Sequence, residues 1–288
     1  MKSQYKYNMA FGVTLFILLL NCYSCTSKVN TTEKKSIVIL QTSDVHSRIE
    51  PISKEGNEFY NKGGFARRYN YVNEVRQNND DVLLFDCGDI SQGTPYYNLY
   101  QGELEIKLMN EIGYDAMTIG NHEFDFGVEN LARIFSMAKF PILCANYDVS
   151  NSPLDGLVKP YEIFDRGGVR FGVFGIGVEP KGLIQDSKCK GVVYKDYVKV
   201  ADEMAELLKS KGCEVVIALT HIGIEEDKIL ISKTKNIDFV LGGHSHTYLK
   251  EPLRLKNIDG KEVMLMHTGK NGVKIGRIDI TTMDKQKN

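Results

Sequence analysis

Seven short apolar runs, each ending in a polar or glycine-containing turn, set the tightest limit on what this chain can fold into: SIVILQTSDVH, DVLLFDCGD, DAMTIGNHE, FPILCANY, VRFGVFGIG, EVVIALTH and DFVLGGHSH. Runs this short, rich in Val, Ile, Leu and Phe and bounded by Gly, Asp and Asn, read as strands. The intervening stretches ARRYNYVNEVRQN, GELEIKLMNEIG, VENLARIFSMA and YVKVADEMAELLKSKG read as helices. In the last of these Tyr197, Val200, Ala201, Met204, Leu207 and Leu208 fall on one face, and Gly212 supplies a C-terminal stop. Strands alternating with helices that cover them on both sides predict an α/β sandwich. No internal repeat or low-complexity tract interrupts the pattern.

A chain of 288 residues with 42% hydrophobic and 25% charged residues can bury a sizeable core. Its formal net charge of -1 leaves no excess of Lys and Arg to neutralise a phosphate backbone, so nucleic acid is excluded as a general partner. Any phosphate must be met locally.

The N-terminus reads as an address. Lys2 and Lys6 precede an apolar run from Met9 to Leu20, 12 residues long. That is too short for the ~30 Å hydrocarbon core of a bilayer but suits the apolar region of a signal peptide. Cys22 and Cys25 follow at once, which reads as a bacterial lipoprotein site. Cys25 follows the small residue Ser24 and is the preferred anchor, with Cys22 the alternative. Residues 1–25 are therefore expected to be a lipoprotein signal with its lipidated Cys, 26–35 a polar tether, and 36–288 a catalytic domain held at the bacterial cell envelope, periplasmic or on the cell surface. Cys87, Cys144, Cys189 and Cys213 show no paired spacing and are expected to be buried free thiols.

Ligands in open α/β sheets bind beyond the carboxyl ends of the strands, so the residues just after each run carry the functional question. The first run ends with Asp44 and His46, the second with Asp89, the third with Asn121 and His122, a later one with His221, and the last with His244 and His246. Singly, an Asp or Asn there caps the next helix and a His is solvated. Five strand ends delivering carboxylate, amide and imidazole to one rim are not explained by caps. His267 is the only histidine outside this set.

Imidazole, carboxylate and amide donors suit borderline or hard divalent ions such as zinc, manganese or iron. One ion needs about four protein ligands and more than four are present. Two ions ~3.5 to 4 Å apart sharing a carboxylate would use the set and would clamp a displacement at phosphorus. On that reading His244 and His246, one residue apart, each face a different ion.

DVH, GD, GNHE, TH and GHSH, in that order from Asp44 to His246, resemble the motif set of the calcineurin-like metallophosphoesterases. GDISQGTPYYNLYQGE and MNEIGYDAMTIGNHEFDFG are similar to the bacterial 5′-nucleotidase and UDP-sugar hydrolase branch, and the resemblance spans roughly residues 36 to 281. It implies a four-layer α/β/β/α sandwich. It implies a first metal held by Asp44, His46, Asp89 and His246, and a second held by Asp89 as bridge with Asn121, His221 and His244. His122 of GNHE would be a non-ligating catalytic residue with Asp125 as its partner. His122 then stabilises or protonates the departing ester oxygen while an activated water attacks phosphorus in line. Asn146, at the end of FPILCANY, either lines the same rim or caps a turn.

Two departures from the family pattern bear on function. Position 47, often Gly in the family, is Ser47, which is expected to adjust the loop. Full-length nucleotidases of this branch carry a second domain that reads the nucleoside, whereas this sequence stops at Asn288. The expectation is therefore a 5′-nucleotidase-type phosphomonoesterase acting on a phosphate ester, nucleotide above all. A separate chain resembling the C-terminal domain would be its partner. A cyclic phosphodiesterase or a non-nucleotide phosphatase keeps the same chemistry. A non-catalytic, metal-stabilised binding subunit is the rival from another class, and ligand geometry alone would not require His122 and Asp125.

Overall fold

The computed structural model describes residues 34–283, so the expected signal segment, Cys22, Cys25 and nearly all of the tether lie outside the described residues. The elements are, in order, β1 (Lys34–Thr42), α1 (Phe65–Asn78), β2 (Asp81–Asp86), α2 (Pro95–Tyr100), α3 (Glu103–Ile112), β3 (Ala116–Thr118), α4 (Val128–Phe135), β4 (Ile142–Leu143), β5 (Tyr147–Asp148) and β6 (Val158–Lys159). There follow β7 (Tyr161–Arg166), β8 (Val169–Gly177), β9 (Val193–Tyr194), α5 (Tyr197–Ser210), β10 (Val215–His221), α6 (Ile224–Lys233), β11 (Phe239–Gly242), β12 (Leu253–Lys256), β13 (Glu262–His267) and β14 (Gly276–Met283). The first strand starts two residues before the expected boundary at 36.

Two six-stranded sheets form, in the orders β14-β1-β2-β3-β4-β6 and β12-β13-β11-β10-β8-β7, with β5 and β9 as a separate pair. The burial of alternate residues shows how they stack. Ile37, Ile39, Leu83 and Phe85 of the first sheet pack with Phe171, Val173, Ile217, Leu219 and Leu241 of the second. The intervening Val38, Leu40, Val82 and Leu84 pack instead with α1, α3 and α4 through Val72, Ile106, Met109 and Leu131. Phe174, Ile176, Val216, Ala218 and Val240 pack with α5 and α6 through Val200, Leu208, Leu230 and Ile231. A side-chain period of two thus sends successive residues into different cores, giving the layer order α/β/β/α that the motifs implied. Each fully buried Leu, Ile or Phe contributes roughly 1.5–3 kcal/mol relative to exposure.

Helix α5 matches its reading closely. Asp196 caps it by accepting from Lys199 N at 2.7 Å, and Val200, Ala201, Ala205 and Leu208 are buried. Leu207 is only half-buried. Chain reversal follows at Gly212, whose φ is +81°.

Within the first sheet β1, β2, β3, β4 and β6 run parallel, and within the second β8, β10, β11 and β13 do. Their carboxyl ends therefore share one rim of each sheet. The remaining sheet strands β14, β7 and β12 are antiparallel edges, β14 pairing with β1 in the register Ile37↔Ile280. Among the described residues no helix is long and apolar enough to cross a membrane.

Candidate active site

The loops at the rim are stitched to one another before any side chain is considered. Asp44 N donates to Gly88 O at 2.9 Å, His46 N to Asp89 O at 3.0 Å and Ser47 N to Ile90 O at 2.7 Å, so the turn after β1 lies on the turn after β2. His244 N, in the turn after β11, donates to Asp44 Oδ1 at 3.1 Å. Asp44, His46, Asp89, His244 and His246 all have φ between +48° and +77°. Left-handed backbone is costly for such residues, and held strain of this kind concentrates where side chains must be aimed.

The result is two adjacent groups of candidate ligand atoms. Asp44, His46 and His246 offer atoms within 4.8 Å of one another, and so do Asp89, His221 and His244. Asn121 joins the second group, its Oδ1 lying 2.9 Å from His244 Nδ1. Asp89 sits in the second group by geometry, while its charge also acts on the His46 ring.

Backbone carbonyls set the tautomers. His46 Nδ1 lies 3.1 Å from Ser91 O and His221 Nδ1 lies 2.6 Å from Cys87 O. A carbonyl only accepts, so in both rings Nδ1 carries the proton and Nε2 points into the site. His46 Nε2 then meets His246 Nε2 at 2.9 Å, where at most one proton can sit between two nitrogens. His221 Nε2 is buried without a hydrogen-bond partner, although Asp89 Oδ2 lies 3.2 Å away. Converging imidazole nitrogens and an orphaned one beside carboxylates fit divalent cations in both groups.

Burial pushes His46 down, against the pull of Asp89, and burial with the His221 charge lowers His244 to about 4, so both rings are neutral near pH 7. His246 is lowered by burial and then by the Lys270 ammonium. Burial raises Asp44. Burial is the largest single influence on both, raising Asp89 and lowering His221, but the charge and hydrogen bond between them, joined by His122 for Asp89 and by Asp44 and the Cys87 carbonyl for His221, prevail together: the Asp89 carboxyl lies well below its usual range and His221 rises to about 10. A positive charge is what this centre demands beside Asp89.

His122 belongs to neither group. It opens a short 3-10 turn, His122–Phe124, and its ring centroid lies 5.6 Å from that of His46. Its Nδ1 lies 3.1 Å from Asp125 Oδ2, and this hydrogen bond, opposed by desolvation, raises its pKa. The ring stands at the edge of the two groups, about one-third exposed to solvent at 32%.

The decisive observation comes from the family model for calcineurin-like phosphoesterases, which matches residues 37–248. The chain belongs to that family. Human 5′-nucleotidase is similar at 34% identity over 85% of this chain and 46% of its own length, and the snake venom 5′-nucleotidase of Gloydius brevicauda at 32% over 94% and 49%. The solved 5′-nucleotidase precursor of Thermus thermophilus superposes with a TM-score of 0.81 at 31% identity, covering 86% of this chain and 52% of that one. The chain spans about half the length of the relatives it matches.

In this phosphoesterase, two supporting residues escaped sequence reasoning. Glu123 is fully buried and accepts from Asp89 N at 2.9 Å, Gly120 N at 2.6 Å and Ser91 N at 3.2 Å, pinning the turn after β2 to the turn after β3. Its only signal was adjacency to His122 in GNHE. Glu105 accepts a short bond from Ser47 Oγ, and Ser47 Oγ also lies 2.6 Å from Thr94 Oγ1. Ser47 has φ +50°, a left-handed backbone that its hydroxyl contacts tie down.

Other expectations resolve as follows. Asn146 is fully buried and structural: its Nδ2 donates to Gly177 O at 2.7 Å and its Oδ1 accepts from Gly177 N at 2.8 Å. His267 is buried against Asp227, Nε2 to Oδ2 at 2.7 Å, and Thr220 Oγ1 donates to Asp227 Oδ1 at 2.6 Å. The four thiols are free; Cys87, Cys144 and Cys213 are buried but Cys189 is only half-buried, which corrects the expectation for it.

Proposed function

We propose that this chain is a dinuclear-metal-dependent phosphoester hydrolase of 5′-nucleotidase type, with a nucleotide phosphomonoester as substrate. One observation carries the reading: two candidate ligand groups stand side by side, with the His122–Asp125 pair beyond both. A metal-stabilised binding subunit needs the groups but not the pair.

Asp44, His46, Asp89 and His246 would hold one ion, and Asp89, Asn121, His221 and His244 the other. Zinc, manganese or iron matches the donors. Such ions, when bound, neutralise phosphoryl oxygens and make water acidic enough to attack near pH 7. The chain supplies the rest. Protonated His122 would give its Nε2 proton to the ester oxygen as the P–O bond breaks, so that an alcohol departs while the attacking water bonds to phosphorus through its oxygen and releases a proton to solvent, from which His122 is recharged. Asp125 holds Nδ1–H, so Nε2 is the nitrogen left to serve the ester oxygen.

The domain from 36 to 288 carries all these residues, and Cys25, or Cys22, would anchor it to the envelope. Membrane association lost in Cys25→Ser supports the anchor; an unchanged distribution in both Cys→Ser variants rejects it. For the chemistry, the test is hydrolysis of nucleoside monophosphates, cyclic nucleotides and sugar phosphates by purified protein, with and without chelator. Metal-dependent release of phosphate from a nucleoside monophosphate is the expected result. Cleavage confined to cyclic diesters would reassign the substrate, and no cleavage of any ester would reject the activity.

A further inference from the structure

A cleft of about 670 Å³ opens beside the first ligand group, and the reaction described above makes no use of it. His246 lies in its wall together with Tyr248, Lys270, Lys274, Phe59 and Glu58. It is larger than a phosphoryl group requires and falls in the size range of small-molecule sites.

The wall bearing the lysines is fixed to the catalytic rim. Asn271 N donates to Asp44 O at 2.7 Å, so the turn after β13 hangs from the same residue that starts the first ligand group. Gly269 N donates to Thr247 O at 2.9 Å, and Tyr248 bridges Thr268. Gly269, Asn271 and Gly272 have φ of +77°, +62° and +56°, a turn that ordinary side chains resist. Two glycines and an asparagine take that backbone readily, so the turn is shaped without strain.

What it places is Lys270. The ammonium acts electrostatically on the His246 ring, second only to burial. Lys274 lies over the Tyr248 ring, 5.2 Å from its centroid. Both lysines are exposed, and among the described residues neither pairs with a carboxylate. Among the described residues, Glu58 is the one acidic side chain in the wall. Tyr248, half-exposed at 50%, and Phe59 add ring surface.

The geometry points to a substrate-recognition site in which Lys270 and Lys274 hold a second anionic group, phosphate or carboxylate, on the part of the substrate that is not transferred. The inference rests on the phosphoesterase reading and narrows it: the favoured esters are those with a negative charge beyond the reacting phosphoryl. Remote contacts of this kind raise kcat/KM for the matching substrate over a truncated one. Two partly exposed charge contacts, each worth a few-fold, give a preference of about tenfold.

The test compares a nucleoside 3′,5′-bisphosphate and a nucleoside 5′-diphosphate with the corresponding 5′-monophosphate. The wild type is expected to favour at least one doubly charged ester by about tenfold in kcat/KM, mostly through KM. K270Q/K274Q should bring the ratio near one, and K270R/K274R should keep it. A wild-type ratio of one, or a ratio that survives K270Q/K274Q, overturns the inference. Equilibrium titration of the same compounds in chelator reads the cleft without turnover. There the doubly charged ligand should bind the wild type more tightly and lose that advantage in K270Q/K274Q; equal binding to the wild type overturns the inference. Intact discrimination in binding with no hydrolysis of any ester would instead reject the catalytic reading and leave the cleft standing.

Discussion

Replacing Asp125 by Asn keeps the shape of the His122 partner and removes its charge. The contact is 3.1 Å long and both side chains are about one-third exposed, at 32% and 37%. At that distance two unit charges in a water-like medium interact by roughly 1.3 kcal/mol, and solvent screening of exposed pairs brings the effect to about 1 kcal/mol or less. That is somewhat under one pH unit in the His122 pKa. The pair raises His122, so losing it lowers that pKa. A general acid works only while protonated, so the alkaline fall of kcat/KM should move to lower pH by about half a unit to one unit. The loss should be larger for a nucleoside monophosphate, whose alkoxide leaving group needs the proton, than for an aryl phosphate with an acidic phenol. Rate profiles across pH for both substrates provide the assay. An alkaline limb that does not move, together with equal losses on both substrates, would refute the role of His122 as acid and of Asp125 as its partner.

Three further outcomes follow from the same geometry. His122→Asn should lower turnover of a nucleotide by ~100-fold or more while metal content stays near wild type, since loss of a positioned acid has that scale; loss of metal would make His122 a ligand. Gly120→Ala puts a Cβ 2.2 Å from Asp89 Oδ1 and 2.5 Å from Asp89 N, both in a packed rim. It should cost about 2 kcal/mol and lower the melting midpoint by about 5 °C, and a wild-type midpoint would contradict the packing argument. Asp227→Ala strands buried His267 and Thr220 without their shared acceptor and should cost about 3 kcal/mol in urea unfolding; a change under about 0.5 kcal/mol would show that the pair is replaced by other partners.

The central strands and the rim were legible because their signals are local. DVLLFD and VVIALTH are continuous apolar runs, and each ends in the residue type that the rim uses. The antiparallel strands were harder to see. LRLK of β12 alternates polar and apolar on an exposed edge, and YEIFDR of β7 mixes charges into a half-buried run, so neither stands out from a loop. Helix α6 carries Glu225, Glu226 and Asp227 in its first turn and shows only a short apolar face. At the site, the eight residues expected from strand ends reach one rim, and Asp125, which only the family resemblance implied, pairs there with His122. The supporting shell was illegible because it is long-range. Ser47 meets Glu105, Gln41 Nε2 meets Gly242 O, and His267 meets Asp227, contacts separated by tens to hundreds of residues with no spacing rule. Asn146 was undecided for the same reason: only the position of Gly177, at the end of β8, makes it a strand pin.

The most direct test is metal content measured beside activity on one preparation of purified protein. The account predicts about two divalent ions per chain, loss of phosphatase activity when they are removed by chelator, and its return when they are restored. Undiminished hydrolysis in a preparation holding less than one ion per chain would contradict it.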